Sequence, residues 1–495
     1  MSRSLYASLA RRYLTRRQAL GAVLAGTAAI AAGCTYDPAA PPPPARRRAG
    51  RKVVVVGAGF AGLACAHELT RSGFDVIVLE ARARVGGRVV SFNDLLPGQT
   101  CEGGGELIGL NHPRWFALAD RFGLHLEPIP EDETLSVPVR LGGKVLDDID
   151  AERLFTEMDA AVAALTELAR PIDAERPWLS PDASRLDALS AEDWIADLDV
   201  SALARLALRI QLTADNGVET DRQSLLAHLA MIKGGGLEQY WLESETHRCA
   251  GGNQALARAL ASACGDLRLS SPVAEILHDP TGGRVITAAG QSIPADWIVL
   301  ATPASAYPRL RFSPSLPRDL ACQMGMNVKQ LSVVRRAFWM DAGRTPDALS
   351  DAAVSLTWEG VNAGNIDDAT LLVGFSGGSR AIECREIPTA RRHAFLAEQI
   401  ELVQPGFTEH FVRSRFMDWP GDDWTLGSYS FPAPGQVTRV GPILHDGLGR
   451  LLFAGEHCSH AFVGYMEGAL QSGIRAANQI TGDVPVTALD PGIGA

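Results

Sequence analysis

Gly57-Ala58-Gly59-Phe60-Ala61-Gly62 places three glycines at the spacing that lets a strand turn into a helix around a phosphate. Val53 to Val56, just before it, is a β-branched run suited to a buried parallel strand. Leu63 to Ser72 has helical composition, and Gly73 ends it. Asp75 to Leu79 reads as a second strand with Glu80 at its end. Gly57 permits the tight turn, Gly59 leaves the backbone bare toward a pyrophosphate, and Gly62 lets helix and strand pack closely. The amides around Ala61 and Gly62, at a helix N-terminus, would meet the diphosphate charge. Glu80 would accept hydrogen bonds from the adenosine ribose and disfavours a 2′-phosphate, so NADP is a poor fit. A glycine-rich turn without a ligand is the competing reading, and the flanking strand, helix and acid count against it.

The continuation narrows the nucleotide. Glu80-Ala81-Arg82-Ala83-Arg84-Val85-Gly86-Gly87-Arg88 resembles the extended motif of the flavin-containing amine oxidase superfamily, which includes monoamine oxidase, polyamine oxidase and L-amino-acid oxidase types. The resemblance implies FAD, with Arg88 as a cation for the phosphates and Gly87 allowing close approach. Further segments match in order. Glu102-Gly103-Gly104-Gly105-Glu106-Leu107-Ile108-Gly109 is similar to the family's glycine-rich segment beside the flavin, which brings in Gly105 and Leu107. Ser271-Pro272-Val273 matches the segment whose valine backbone meets adenine, here Val273. Phe453-Ala454-Gly455-Glu456-His457 and Gly464-Tyr465-Met466-Glu467-Gly468-Ala469 resemble the last strand and helix. There Glu456 would touch the ribityl–diphosphate region, and the Met466 amide the flavin.

The same resemblance singles out three residues for catalysis. Tyr429 and Tyr465 match the two tyrosines that face each other before the flavin in monoamine oxidases, where parallel rings orient an amine. Lys329 matches a lysine linked through a water to flavin N5. The competing readings are a packed strand aromatic for Tyr429 and a solvent-facing strand lysine for Lys329. Two positions depart from the monoamine oxidase pattern. Ser428 stands where animal enzymes carry the cysteine that bonds the flavin, and a hydroxyl is a far weaker nucleophile, so non-covalent FAD is expected. Glu106 stands where small or aromatic residues occur. It could hold a second cation on a diamine or polyamine, or serve as an internally satisfied acid.

The implied fold class is α/β: a Rossmann-like FAD-binding domain with an inserted α+β substrate domain. The expected cofactor domain is discontinuous, over 51–110, 245–314 and 420–485, with the substrate domain over 111–244 and 315–419. The expected function is oxidation of a primary or secondary amine to imine and then aldehyde, with O2 reduced to hydrogen peroxide. The alternatives are an L-amino-acid oxidase, or an amine dehydrogenase or desaturase using another acceptor. An amino-acid oxidase needs a cation for the α-carboxylate, and Arg114 or Arg248 would have to supply it.

The whole chain sets outer bounds. Its 495 residues, 46% hydrophobic and 21% charged, describe an ordinary globular enzyme. A net charge of −11 makes duplex nucleic acid an unsuitable partner. Arg11, Arg12, Arg16 and Arg17 precede a mild apolar run from Ala19 to Ala32, too short to span a bilayer. Residues 1–33 therefore read as a twin-arginine export signal, giving a periplasmic protein. Ala31-Ala32-Gly33-Cys34 resembles a lipoprotein cleavage site, so membrane attachment would come only through a lipid on Cys34; simple cleavage after Ala31 stays open. Residues 34–50, rich in Pro and Arg, read as a tether. The eight cysteines include no C-x-x-C pair, so no metal site is expected, and they read as buried thiols. A homodimer stays open.

Overall fold

The computed structural model describes residues 5–13, 51–362 and 365–482. Arg16, Arg17, Cys34 and the tether lie outside the described residues. The chain's first helix, Leu5–Tyr13 (α1), packs against the folded body and is described with the substrate domain below.

The cofactor domain is built on a parallel sheet. Its strands are Lys52–Val56 (β1), Asp75–Leu79 (β2), Asp266–Arg268 (β3), Trp297–Leu300 (β4) and Leu451–Phe453 (β5), in spatial order β5-β4-β1-β2-β3. Val53 to Val56 are buried, as a strand covered on both faces requires. Phe60–Arg71 (α2) starts at the glycine turn, and the C-terminal helix Met466–Thr481 lies across it. The crossing is so close that a Cβ at Gly473 would stand 2.1 Å from the Ala61 carbonyl oxygen. An α/β cofactor domain of this kind is what the strand–turn–helix–strand reading required.

The second domain centres on a seven-stranded sheet. Asn327–Val334 lies inside it, paired antiparallel with Thr370–Gly377 on one side and Phe411–Asp418 on the other. Every residue of Asn327–Val334 is buried. All seven strands fall within residues 111–244 and 315–419. Ala202–Asn216 (α4) packs on the sheet with Asp148–Ala169 (α3) against it, and Glu238–Glu243 (α5) stands against α1. The Asp147 side chain caps α3 by accepting from the Asp150 amide, and Ser201 caps α4 in the same way. Gly217, with φ 70°, ends α4 in the left-handed region.

Two placements differ from the sequence reading. Helix Pro113–Phe122 was expected in the substrate domain, yet Trp115, Leu118 and Ala119 join the cofactor-domain core. Glu467 of the C-terminal helix fastens it, accepting from the Arg114 and Trp115 amides at 3.0 and 2.9 Å. The second concerns the expected leader. α1 is buried on all sides: Leu5, Tyr6, Leu9 and Ala10 belong to the substrate-domain core with residues of α3, α4 and the sheet.

Candidate functional site

A cavity of about 460 Å³ runs along the seam of the two domains. Gly57, Gly59, Ala61, Glu80, Gly87, Arg88, Gly105, Glu106, Leu107, Val273, Lys329, Tyr429, Glu456, Tyr465 and Met466 all line it. Of the sequence-predicted site residues only Gly62 does not. A Cβ there would stand 2.0 Å from the Gly57 carbonyl oxygen, so its role is close packing of the turn.

The cofactor end is shaped by backbone. Gly57 has φ +109°, a conformation open to glycine, and its amide donates to the Leu79 carbonyl at 2.8 Å. A Cβ at Gly59 would meet no protein atom within 4 Å, so that backbone borders open space. The Gly86-Gly87 turn folds onto it, with the Gly86 amide donating to the Ala58 carbonyl at 2.9 Å. The Glu80 carboxylate accepts from the Ala58 and Arg82 amides at 2.7 and 2.8 Å. It is thereby fixed at the end of β2, facing the cavity. Arg88 reaches across to Glu456 at 2.7 Å and to the Ser428 carbonyl at 2.9 Å. Glu456 also accepts from Ser430 Oγ at 2.7 Å and the Gly464 amide at 2.8 Å. Burial pushes the Glu456 carboxyl up, but Arg88, His457 and Ser430 together hold it below the usual carboxylate range. A cradle of bare glycine backbone, a ribose-side acid and a mid-cavity arginine fits an FAD dinucleotide in donor type and in free space.

The other end is shaped by side chains. Lys329 sits 4% exposed and Glu106 2% exposed, so neither faces solvent. The Lys329 ammonium meets Glu106 Oε2 at 2.5 Å and donates to the Glu102 carbonyl at 2.8 Å. Glu106 Oε1 accepts from Arg248 Nη2 and from Trp358 Nε1, each at 3.1 Å. Burial raises the Glu106 carboxyl, yet Lys329 and Arg248 outweigh it and keep it ionised. Both oxygens that were expected to reach a second substrate cation are therefore taken by the protein's own donors, which corrects that expectation. The internally satisfied alternative is what the geometry builds, with side-chain donors.

Around this ion pair stand aromatic rings. Lys329 Nζ lies 5.6 Å from the Trp358 ring centroid, and Trp358 lies 5.4 Å from Phe375. Tyr465 is held edge-on by His112 at 5.3 Å and Phe462 at 6.1 Å. Tyr429 is half-buried on the cavity wall, and its buried Oη has no partner among the described residues. Burial first drives both phenols well above their ordinary pKa, joined by the Asp215 and Glu245 carboxylates at Tyr429 and by Tyr240 with the same carboxylates at Tyr465, so both stay protonated. Ser428 Oγ donates to Asn327 Oδ1 at 2.6 Å. Trp358 and Phe375 were absent from the sequence reading. They lie on strands of the loosely patterned middle region, and no spacing marked them.

The cations lining the cavity are Arg82, Arg88, Arg309 and Lys329, and each has a partner. Arg82 pairs with Asp422, Arg88 with Glu456, Lys329 with Glu106, and Arg309 donates to the Asp423 carbonyl. Arg248 spends its guanidinium on Glu106, Asn362 and the Glu359 carbonyl, and neither it nor Arg114 lines the cavity.

The sequence profile described as flavin containing amine oxidoreductase matches residues 60–481. A probable flavin-containing monoamine oxidase A of Dictyostelium discoideum is 26% identical over 451 residues, covering 86% of this chain and 97% of that one. An L-amino acid dehydrogenase of Synechocystis is 27% identical over 455 residues, covering 87% and 94%. The solved cyclohexylamine oxidase of Brevibacterium oxydans superposes with a TM-score of 0.79 at 26% identity, covering 88% of this chain and 99% of that one.

Proposed function

The chain belongs to the flavin containing amine oxidoreductases and is an FAD-dependent enzyme of amine oxidation; from that premise we propose that its substrate is an amine without an adjacent carboxylate, and that O2 takes the electrons. One observation carries the substrate reading: the tyrosine end of the cavity offers aromatic faces, and its lining cation, Lys329, is already spent on Glu106 and the Glu102 carbonyl. An α-carboxylate buried there would go unpaired, at a cost no oriented ring can offset.

FAD, when bound, accepts the hydride equivalent from the carbon next to nitrogen. The remaining steps fall to this chain's side chains. Tyr429 and Tyr465 present ring faces that clamp and turn the amine. Their phenols stay protonated, so neither acts as base. The enclosed, apolar chamber penalises an ammonium and admits the neutral amine, which sheds its proton to water on entry. The Lys329–Glu106 pair holds a fixed dipole beside Trp358, positioned to order a water. The Ser428 hydroxyl, already donated to Asn327, supports FAD held without a covalent link.

The test is anaerobic bleaching of the flavin by a panel of aliphatic and aromatic amines beside a panel of L-amino acids. Amines should bleach it. Bleaching by amino acids alone would overturn the reading. Bleaching by amines without oxygen uptake on admission of air would replace O2 by another acceptor.

We also propose export by the twin-arginine route to the periplasm, on the strength of Arg16-Arg17 and the apolar run behind it. The mass of the exported chain reports whether it begins at Cys34 with a lipid or at Ala32.

A further inference from the structure

A second cavity lies behind Tyr465, which forms part of its wall as well as part of the first cavity's wall. Its lining is aromatic and acidic: Tyr240, Trp241 and Trp194 with Asp215 and Glu245. The far side is closed by α1, which contributes Tyr6, Ala7 and Arg11. With α1 in place only about 50 Å³ stays open.

α1 is bound there by specific contacts. The Leu5 amide donates to Gln211 Oε1 at 2.8 Å, and Tyr6 Oη to Asp159 at 2.7 Å. The Tyr6 ring packs 5.9 Å from Phe155 and 6.0 Å from Trp241. Ser8 Oγ donates to Asp347 at 3.2 Å, and Arg12 pairs with Asp148 at 3.2 Å. These partners lie on α3, α4, α5 and just before the sheet strand Ala348–Ser350, so α1 is held from three helices and the sheet. A basic and aromatic helix in an acidic and aromatic cavity is a complementary occupant.

We propose that this second cavity is the outer half of the amine channel, a subsite for organic cations, and that α1 plugs it in the uncleaved chain. The inference rests on the amine-oxidation reading given above. The walls match both visitors: Asp215 and Glu245 attract a protonated amine from solvent, Tyr240 and Trp241 take its apolar part, and Tyr465 is the threshold to the inner chamber. Arg11 brings to this cavity the charge type a substrate would bring. The helix lies inside the segment read as a removable leader, so its loss opens the channel. An exported oxidase then folds and acquires its flavin with the amine site shut, and peroxide production waits for leader removal.

The test uses the full-length holoprotein with a specific protease site placed in residues 38–48. Cutting and washing away the leader should raise kcat/KM for amines at least tenfold. Added peptide Leu5–Tyr13 should reverse the gain as a competitive inhibitor, raising KM with kcat unchanged. A second variant, Leu9→Asp in the uncut chain, should open the channel without proteolysis. Equal kcat/KM before and after leader release would overturn the proposal. If no amine bleaches either form, the amine reading itself fails, and the plug is then judged by binding. Saturable binding of labelled Leu5–Tyr13 peptide to the cut, washed protein supports it, and absence of binding overturns it.

Discussion

In the glycine turn a Cβ at Gly62 would stand 2.0 Å from the Gly57 carbonyl oxygen, whereas at the opposite end of the same cavity Tyr429 Oη meets no partner among the described residues. The cofactor end is made of backbone with almost no tolerance. The amine end is made of side chains around one buried ion pair. A defect in the first should abolish binding; a defect in the second should change rate and stability in degrees. The largest effect is therefore expected from Gly62→Ala, where backbone must move because no flexible side chain can give way. Purified protein should be colourless or insoluble, and its visible absorbance on titration with FAD should stay below a tenth of the wild-type value. Normal yellow protein from this variant would break the contrast.

The ion pair gives the next effect. Lys329→Met leaves Glu106 buried with Arg248 and Trp358 as its remaining donors. Losing one partner of a buried pair costs about 3–5 kcal/mol. Thermal unfolding should show that loss, and amine-dependent flavin reduction should fall by about 100-fold. The double variant Lys329→Met with Glu106→Gln removes both charges of this pair but leaves Arg248 without its carboxylate, so it should regain only part of the stability while the rate stays low. Recovery of both together would mean that Lys329 acts only through folding.

This contrast also explains what could be read in the chain. The cofactor end was legible because its demands fall on glycines at fixed intervals and on Glu80 at the end of β2, all close in sequence. Lys329, Tyr429 and Tyr465 were legible only through resemblance, since a lysine in a strand or a tyrosine beside glycine has no physical signature of its own. Trp358, Phe375 and Tyr240 could not be found. Trp358 and Phe375 are brought in by a sheet whose strands pair across long separations, Tyr240 by the short helix α5, and an aromatic reads the same in any core. Glu106 was half legible: its oddness stood out, but its three donors come from residues 248, 329 and 358. The packing of α1 was not legible because a basic, apolar helix has the composition of a leader whether or not it is also packed.

Tyr429 tests the amine end on a smaller scale. Since its hydroxyl has no partner, Tyr429→Phe should change stability by less than about 0.5 kcal/mol, because no hydrogen bond is lost. Its kcat/KM should stay within roughly threefold of wild type, the ring face being intact. Tyr429→Ala removes the ring and should cost about 3–5 kcal/mol and about 100-fold in kcat/KM. A large drop in the phenylalanine variant would assign the phenol a role in proton transfer that its surroundings do not supply.

The last test concerns protons, whose effect is spread over the whole fold and touches neither end of the cavity singly. Burial lowers His112, His228 and His460 to about 3 and His457 to about 4, so all are neutral in the folded protein near pH 6.5. Unfolded histidines take up protons below their ordinary value, and the folded ones refuse them, so stability falls as pH falls through that window. Burial also raises Glu102 and Glu467 to about 7. These two hold protons that the unfolded chain releases, so they act in the opposite sense between pH 7 and about 4.5. Four groups against two leave the unfolded state richer by about two protons, a slope of up to about 3 kcal/mol per pH unit. Thermal unfolding of the holoprotein should therefore shift down between pH 6.5 and 4.5, and an upward shift would mean that the two acids dominate. His460 isolates one proton, since both ring nitrogens lack a partner among the described residues. Replacing it with phenylalanine breaks no hydrogen bond there, and should flatten the acid slope by about a quarter of the histidine contribution while leaving the FAD titration unchanged.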